Sequence, residues 1–137
     1  WFHGNTFLNV YRAPDSTDEP GAIALVCPDA LSDSEWSRLV EFLEGTDIRR
    51  IAREESLSYD TNALQVAETV IAPSTASPTA TEAFRDLGLE VVLLELDELF
   101  AKGGGAPVCL TNRLWGLSPK EVPQRHLWSS DAVSLDG

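Results

Sequence analysis

The residue best placed by its neighbours to do chemistry is Cys109, which ends the run Lys102-Gly-Gly-Gly-Ala-Pro-Val-Cys109 and is followed by Leu-Thr. Glycines ahead of a cysteine tolerate positive φ and let a ligand approach the backbone closely. They also aim successive N–H groups at one point, where a thiolate or a developing negative charge is stabilised. Gly104 and Gly105 are therefore candidate ligand-contacting positions, and Cys109 is a candidate nucleophile on an exposed, positioned loop. The same residues also read as a flexible turn before an apolar strand whose cysteine is buried, the usual fate of a free thiol. Cys27, in the apolar run Gly21 to Cys27, is expected in the core. Two cysteines make no disulfide framework. The histidines are His3 and His126. With no C-x-x-C, no H-E-x-x-H and no clustered Cys/His set, no metal site is expected.

An alternation of strands and helices must position these groups. Phe2 to Tyr11 reads as a strand, followed by a turn-rich stretch, Ala13 to Gly21, with Pro14 and Pro20. Gly21 to Cys27 is a short buried strand. Ser32 or Asp33 starts a helix reaching about Glu44, with Trp36, Leu39, Val40 and Leu43 on one face and Gly45 closing it. Ile48 to Ala52 is a strand. The order then repeats. Ala63 to Ala67 and Val70 to Ala72 are tightly joined strands, and Ser77 caps a helix with Pro78 at its first position. That helix runs to Leu87 with Gly88 at its end, and Leu89 to Leu96 carries the strongest strand signal. Asp97 to Ala101 reads as a short helix leading into the glycines, and Val108 to Trp115 as a strand bearing Cys109. The predicted class is α/β (α+β), built from strand-strand-helix-strand modules seen about twice with the start of a third. One domain is expected over 1–116, followed by a loosely packed tail, 117–137, with Leu127 and Trp128 as its docking residues.

The chain of 137 residues carries 22 acidic and 10 basic residues, a net charge of −12. Such a surface repels phosphates and anionic membranes, so neither nucleic acid nor a membrane is expected as a partner. It attracts cationic solutes, guanidinium compounds among them, and equally serves solubility. No apolar run approaches the roughly 20 residues that span a bilayer. No basic segment precedes an apolar one in the manner of a secretory signal, so a cytoplasmic protein is expected.

Ordered motifs along the chain add a resemblance. Phe2-His3-Gly4-Asn5-Thr6, Arg53-Glu54, Asp60-Thr61-Asn62, Val70-Ile71-Ala72-Pro73, Gly88-Leu-Glu-Val-Val, Glu98-Leu99 and the glycine-rich approach to Cys109-Leu-Thr follow one another. Together they resemble the guanidino-group-modifying (pentein) superfamily: arginine deiminases, dimethylarginine hydrolases and amidinotransferases. The likeness covers most of Phe2 to Leu114, the C-terminal part of such a protein. It implies a five-module α/β propeller, of which this chain would form about half. Closing the ring would then need an N-terminal half or a partner chain, so the chain is expected to be a fragment, a processed chain or one member of an assembly. The chain departs from the pattern at Asn5, where the family commonly has an acid, and at Val108, where deiminases often have histidine.

The resemblance implies that Cys109 attacks a guanidinium carbon and that His3 protonates the departing amine, through a covalent thiouronium intermediate and with no cofactor. It places Asp60, Asn62 and Asn5 beside the substrate. Read by themselves, Asp60 is equally a solvated turn residue, Asn62 a loop brace, His3 a terminal histidine, and Glu54 and Glu55 a solvated face. Hydrolysis of arginine, a methylarginine or a related guanidine is the first expectation. Amidino transfer, a non-catalytic binding module, and an unrelated α/β domain with a redox-active Cys109 are the alternatives.

Overall fold

The computed structural model describes residues 4–14, 21–95, 98, 102 and 105–111, and the statements below concern these residues. Two modules of one design follow each other. In the first, β1 (Leu8–Arg12) runs antiparallel to β2 (Ala22–Val26), helix α1 (Asp33–Phe42) crosses over, and β3 (Asp47–Arg50) returns parallel to β2. In the second, β4 (Leu64–Val66) is antiparallel to β5 (Thr69–Pro73), α3 (Pro78–Asp86) crosses over, and β6 (Glu90–Leu94) lies parallel to β5. Helix α2 (Arg53–Leu57) and a 3-10 turn, Asp60–Asn62, join the modules. Each sheet has three strands, and neither closes on itself.

The local reasons are those of the sequence. Ser32 accepts from the Glu35 N–H while the Glu35 carboxylate accepts from the Ser32 N–H, a complete capping box at the start of α1. The charge-relieving hydrogen bonds from Ser32 also hold the Glu35 carboxyl below its ordinary value. Ser77 caps α3 with Pro78 at the first helical position. Gly45 and Gly88, at φ +83 and +75, take the left-handed conformation that ends each helix.

Alternation along the strands decides what each face covers. Ala24 and Val26 of β2 point to α1, where they pack with Leu8, Trp36, Leu39, Leu43 and Ile48. Tyr11, Ile23 and Leu25 point the other way, onto α3 of the second module. Helix α3 buries Ala80, Ala83 and Phe84 between that face and Val70 and Ala72 of its own sheet, and is thus covered on two sides. Its small residues permit the close approach. Tyr11 meets Phe84 edge to face at 4.7 Å between ring centroids, worth about 0.5–1.5 kcal/mol beyond the area buried. The Arg49 guanidinium reaches Asp86 at 3.0 Å and Asp47 at 2.7 Å, an exposed tie between β3 and α3. By contrast, the far face of the second sheet shows Val66 and Val92 to solvent, 52% and 37% exposed.

Several expectations are corrected. The first strand begins only at Leu8, because Gly4–Thr6 is a turn of 3-10 helix. Val108 does not open a strand: Pro107–Leu110 is a single helical turn, α4. Pro107 presets its first φ, and the Thr111 hydroxyl closes it by donating to the Pro107 carbonyl at 2.9 Å. Helix α2 was not expected from the sequence. Its signal is Glu55, whose carboxylate accepts from the Ala52 N–H at 2.6 Å, half of a capping box that alanine cannot complete. Glu55 also accepts from Thr79 Oγ1 at 2.8 Å, so it braces α3 rather than facing only water. His3, Gly104, most of Asp97 to Ala101, and the tail with His126, Leu127 and Trp128 lie outside the described residues. No helix among those described is long and apolar enough to cross a membrane.

Candidate functional site

The two modules meet in a seam of polar groups, and Cys109 sits on it. The first support is the 3-10 turn Asp60–Asn62, all three residues of which are fully buried. Tyr59 enters it at φ +67, a conformation that costs a residue with a side chain about 1–2 kcal/mol. The turn is held from both ends. The Asp60 carboxylate accepts from the Ser77 N–H at 3.0 Å and from the Ser77 hydroxyl, tying the turn to the cap of α3. Thr61 Oγ1 donates to the Asn5 carbonyl at 3.0 Å.

Asn62 links this turn to the cysteine. Its Oδ1 accepts from the Ala106 N–H at 2.9 Å and from the Cys109 N–H at 3.2 Å. Its Nδ2 donates to the Asn5 carbonyl at 3.3 Å and to Cys109 Sγ at 3.1 Å. All four hydrogen-bonding positions of the amide are thus used. The two backbone donors require oxygen on their side, so the amide orientation is fixed by its surroundings. A second amide, Asn5 Nδ2, lies 3.7 Å from the same sulfur. The Asn5 Oδ1 is buried and has no hydrogen-bond partner among the described residues.

Gly105 completes the seat. It is buried, and a Cβ added there would lie 2.5 Å from Cys109 Cβ and 3.1 Å from Sγ. The need for glycine is therefore space beside the cysteine, not the positive φ that a glycine run suggests. Cys109 itself is exposed, whereas Cys27 is buried in the core. A groove of about 860 Å³ runs between β1 and β4, lined by Asn9, Arg12 and Gln65 among others. It reaches the Cys109 segment through Val108 and Thr111, without Cys109 in its wall.

Behind the site the seam continues through Asn9 and Tyr11. Asn9 Nδ2 donates to the Thr61 carbonyl at 2.9 Å and to the Tyr11 oxygen at 3.1 Å. The Tyr11 hydroxyl donates to the Ala63 carbonyl at 3.2 Å. Burial pushes the Tyr11 phenol well above its ordinary value, against the Asn9 hydrogen bond, so it stays a proton donor. Burial likewise raises the Asp60 carboxyl, against the two Ser77 hydrogen bonds and with a smaller contribution from the Glu55 charge.

Of the residues singled out in the sequence, Cys109, Asn62, Asn5 and Gly105 come together within one shell of contacts. Asp60 is adjacent in the chain, but its carboxylate points to Ser77 and is buried; it is neither a solvated turn residue nor presented toward Cys109. Missing from the sequence reading were Asn9 and Tyr11, signalled only by a polar residue in phase with the inward face of β1. No cluster of three or more Cys, His, Asp or Glu suited to a metal ion occurs among the described residues. Compared with models of protein families, with curated proteins and with solved structures, the chain matches none.

Proposed function

We propose that this chain carries the nucleophilic half of a cysteine-dependent hydrolase acting on a guanidino compound. The observation that carries the reading is an exposed thiol that accepts hydrogen bonds from side-chain amides while its own backbone N–H is fixed by one of them. A thiol presented in this way differs from a packed core cysteine such as Cys27. Amide N–H groups directed at an exposed sulfur hold it in one place, where a bound electrophile can be set against it.

A guanidinium carbon is a weak electrophile because its charge is delocalised, so the site must hold the group in place and protonate the nitrogen that leaves. In the proposed course, the Cys109 thiolate bonds to the guanidinium carbon. The C–N bond then breaks, and the amine departs with a proton from His3, leaving a thiouronium ester. His3 takes a proton from water, the oxygen attacks the same carbon, and the C–S bond breaks to release a ureido product and the thiolate. The role of His3 comes from the sequence resemblance. Asn5, beside the sulfur, and Gly105, with its chain neighbour Gly104, are the proposed substrate contacts. Asp60 enters this scheme as a brace for Asn62 through the turn they share. An acceptor amine in place of water would give amidino transfer by the same first step.

For the architecture, we infer that the two modules are neighbouring blades of a larger propeller. Helix α3 covers the inward face of the first sheet, while on the equivalent face of the second sheet Val66 and Val92 are exposed and no described helix packs against them. The helix of a further module, in the same or a partner chain, would fit there.

The deciding test offers a panel of guanidino compounds to the longest native form of the chain and measures ureido product and released amine. Product abolished by Cys109→Ala and by His3→Ala is the expected outcome. Product that survives Cys109→Ala would sink the thiol mechanism. No product from any compound, with the propeller complete, would favour a binding module.

A further inference from the structure

We propose that Asn62 is the positioning residue of Cys109, setting both the place of its backbone and the reactivity of its sulfur. The inference rests on the reading of Cys109 as a nucleophile and adds the residue that makes it one. Three observations carry it. Asn62 is fully buried, so its amide has no water to compete for its hydrogen bonds. Its Oδ1 takes both the Ala106 and the Cys109 N–H groups, which pins the one-turn helix α4 at its start and at the cysteine. Its Nδ2 then has one direction left after the Asn5 carbonyl, and that direction is Sγ at 3.1 Å. Asn62 is itself held through the buried turn it ends, which the modules grip from opposite sides through Asn5 and Ser77. The reactivity of Cys109 is thereby linked to correct docking of the two modules.

Alkylation by iodoacetamide tests this without any knowledge of the substrate. In a Cys27→Ala background the one remaining thiol is Cys109, and mass spectrometry follows the added carbamidomethyl group. Asn62→Asp keeps the acceptor for both N–H groups and replaces the donor with a negative oxygen facing the sulfur. The expected result is a folded protein whose Cys109 is alkylated about tenfold more slowly, as loss of the amide donor and a negative oxygen turned toward the attacking sulfur together entail. Asn5→Ala, which removes the longer contact, should slow it less. An Asn62→Asp protein that is folded by circular dichroism and alkylated as fast as its parent would overturn the proposal.

Should Asn62→Asp fail to fold, the parent protein decides. Alkylating Cys109 must then move the side-chain amide resonances of Asn62 by more than those of any other Asn or Gln except Asn5. Unmoved Asn62 resonances would reject the contact. The underlying reading fails separately. Alkylation tuned by Asn62 with no product from any guanidine keeps the positioning role and removes the hydrolase. Product formation indifferent to Asn62→Asp does the reverse.

Discussion

Replacing Gly105 with alanine puts the geometry of the site under the sharpest strain available from one methyl group. The new Cβ would stand 2.5 Å from Cys109 Cβ and 3.1 Å from its sulfur. Ordinary carbon contacts fall at about 3.5–4.0 Å, so something must move by roughly 1 Å. The cysteine side chain is short, and its Cβ is fixed to a backbone whose N–H is held by Asn62. Relief must therefore come from the chain around 105–109, at the expense of the Ala106 and Cys109 hydrogen bonds to Asn62 Oδ1. Overpacking of this kind costs about 1–3 kcal/mol of stability. A displacement of about 1 Å at a reacting group is enough to lower a rate about 100-fold. The expected result is a protein that still unfolds cooperatively, at somewhat lower urea, with any guanidine hydrolysis reduced about 100-fold and Cys109 alkylation slowed by about the tenfold that loss of the Asn62 contact entails. Gly21→Ala is the control, since its Cβ would meet only Leu87 Cδ2 at an ordinary 3.7 Å. If Gly105→Ala leaves the reactivity of Cys109 as it was, the cysteine is not held by the packing described, and the argument for a built site falls.

Two further substitutions probe the seam. Because burial raises the Asp60 carboxyl in the folded chain, the folded state binds a proton more readily than the unfolded state just above the ordinary aspartate range. The stability owed to that proton is present at low pH and is lost as pH rises through the raised value. Asp60→Asn, measured by urea unfolding across this interval, should remove that decline; a pH slope equal to that of the wild type would contradict the assigned burial. Tyr11→Phe keeps the ring against Phe84 but leaves the Ala63 carbonyl without the phenol donor, and should cost about 1–3 kcal/mol. A loss below about 0.5 kcal/mol, the scale of an ordinary surface change, would mean that the hydroxyl is not part of a buried network.

The division between what the sequence revealed and what it concealed follows the range of the interactions. Strand alternation, the Ser32 and Ser77 caps, and the glycines ending each helix act within a few residues, so both strand-strand-helix-strand modules were legible to within a residue or two at most boundaries. The α4 turn was misread because Val-Cys-Leu has strand propensity, while its helical form depends on Asn62, 47 positions away, holding the Cys109 N–H. The solvated-turn alternative for Asp60 fails for the same reason: three polar residues in a row tolerate full burial only when distant partners satisfy every one of them. Those partners, Asn5, Ser77 and the Cys109 segment, are contributed by different parts of both modules. Asn9 offered a clue that local reading passes over. It shares the inward phase of β1 with Tyr11, and a polar side chain pointing into a core announces a partner somewhere else in the chain. Here the partner is the carbonyl of Thr61, one residue before Asn62. The modules are thus locally encoded and the site is not, because its thiol is held where they meet. A change that loosened their docking would be felt at Cys109 before it disturbed either sheet.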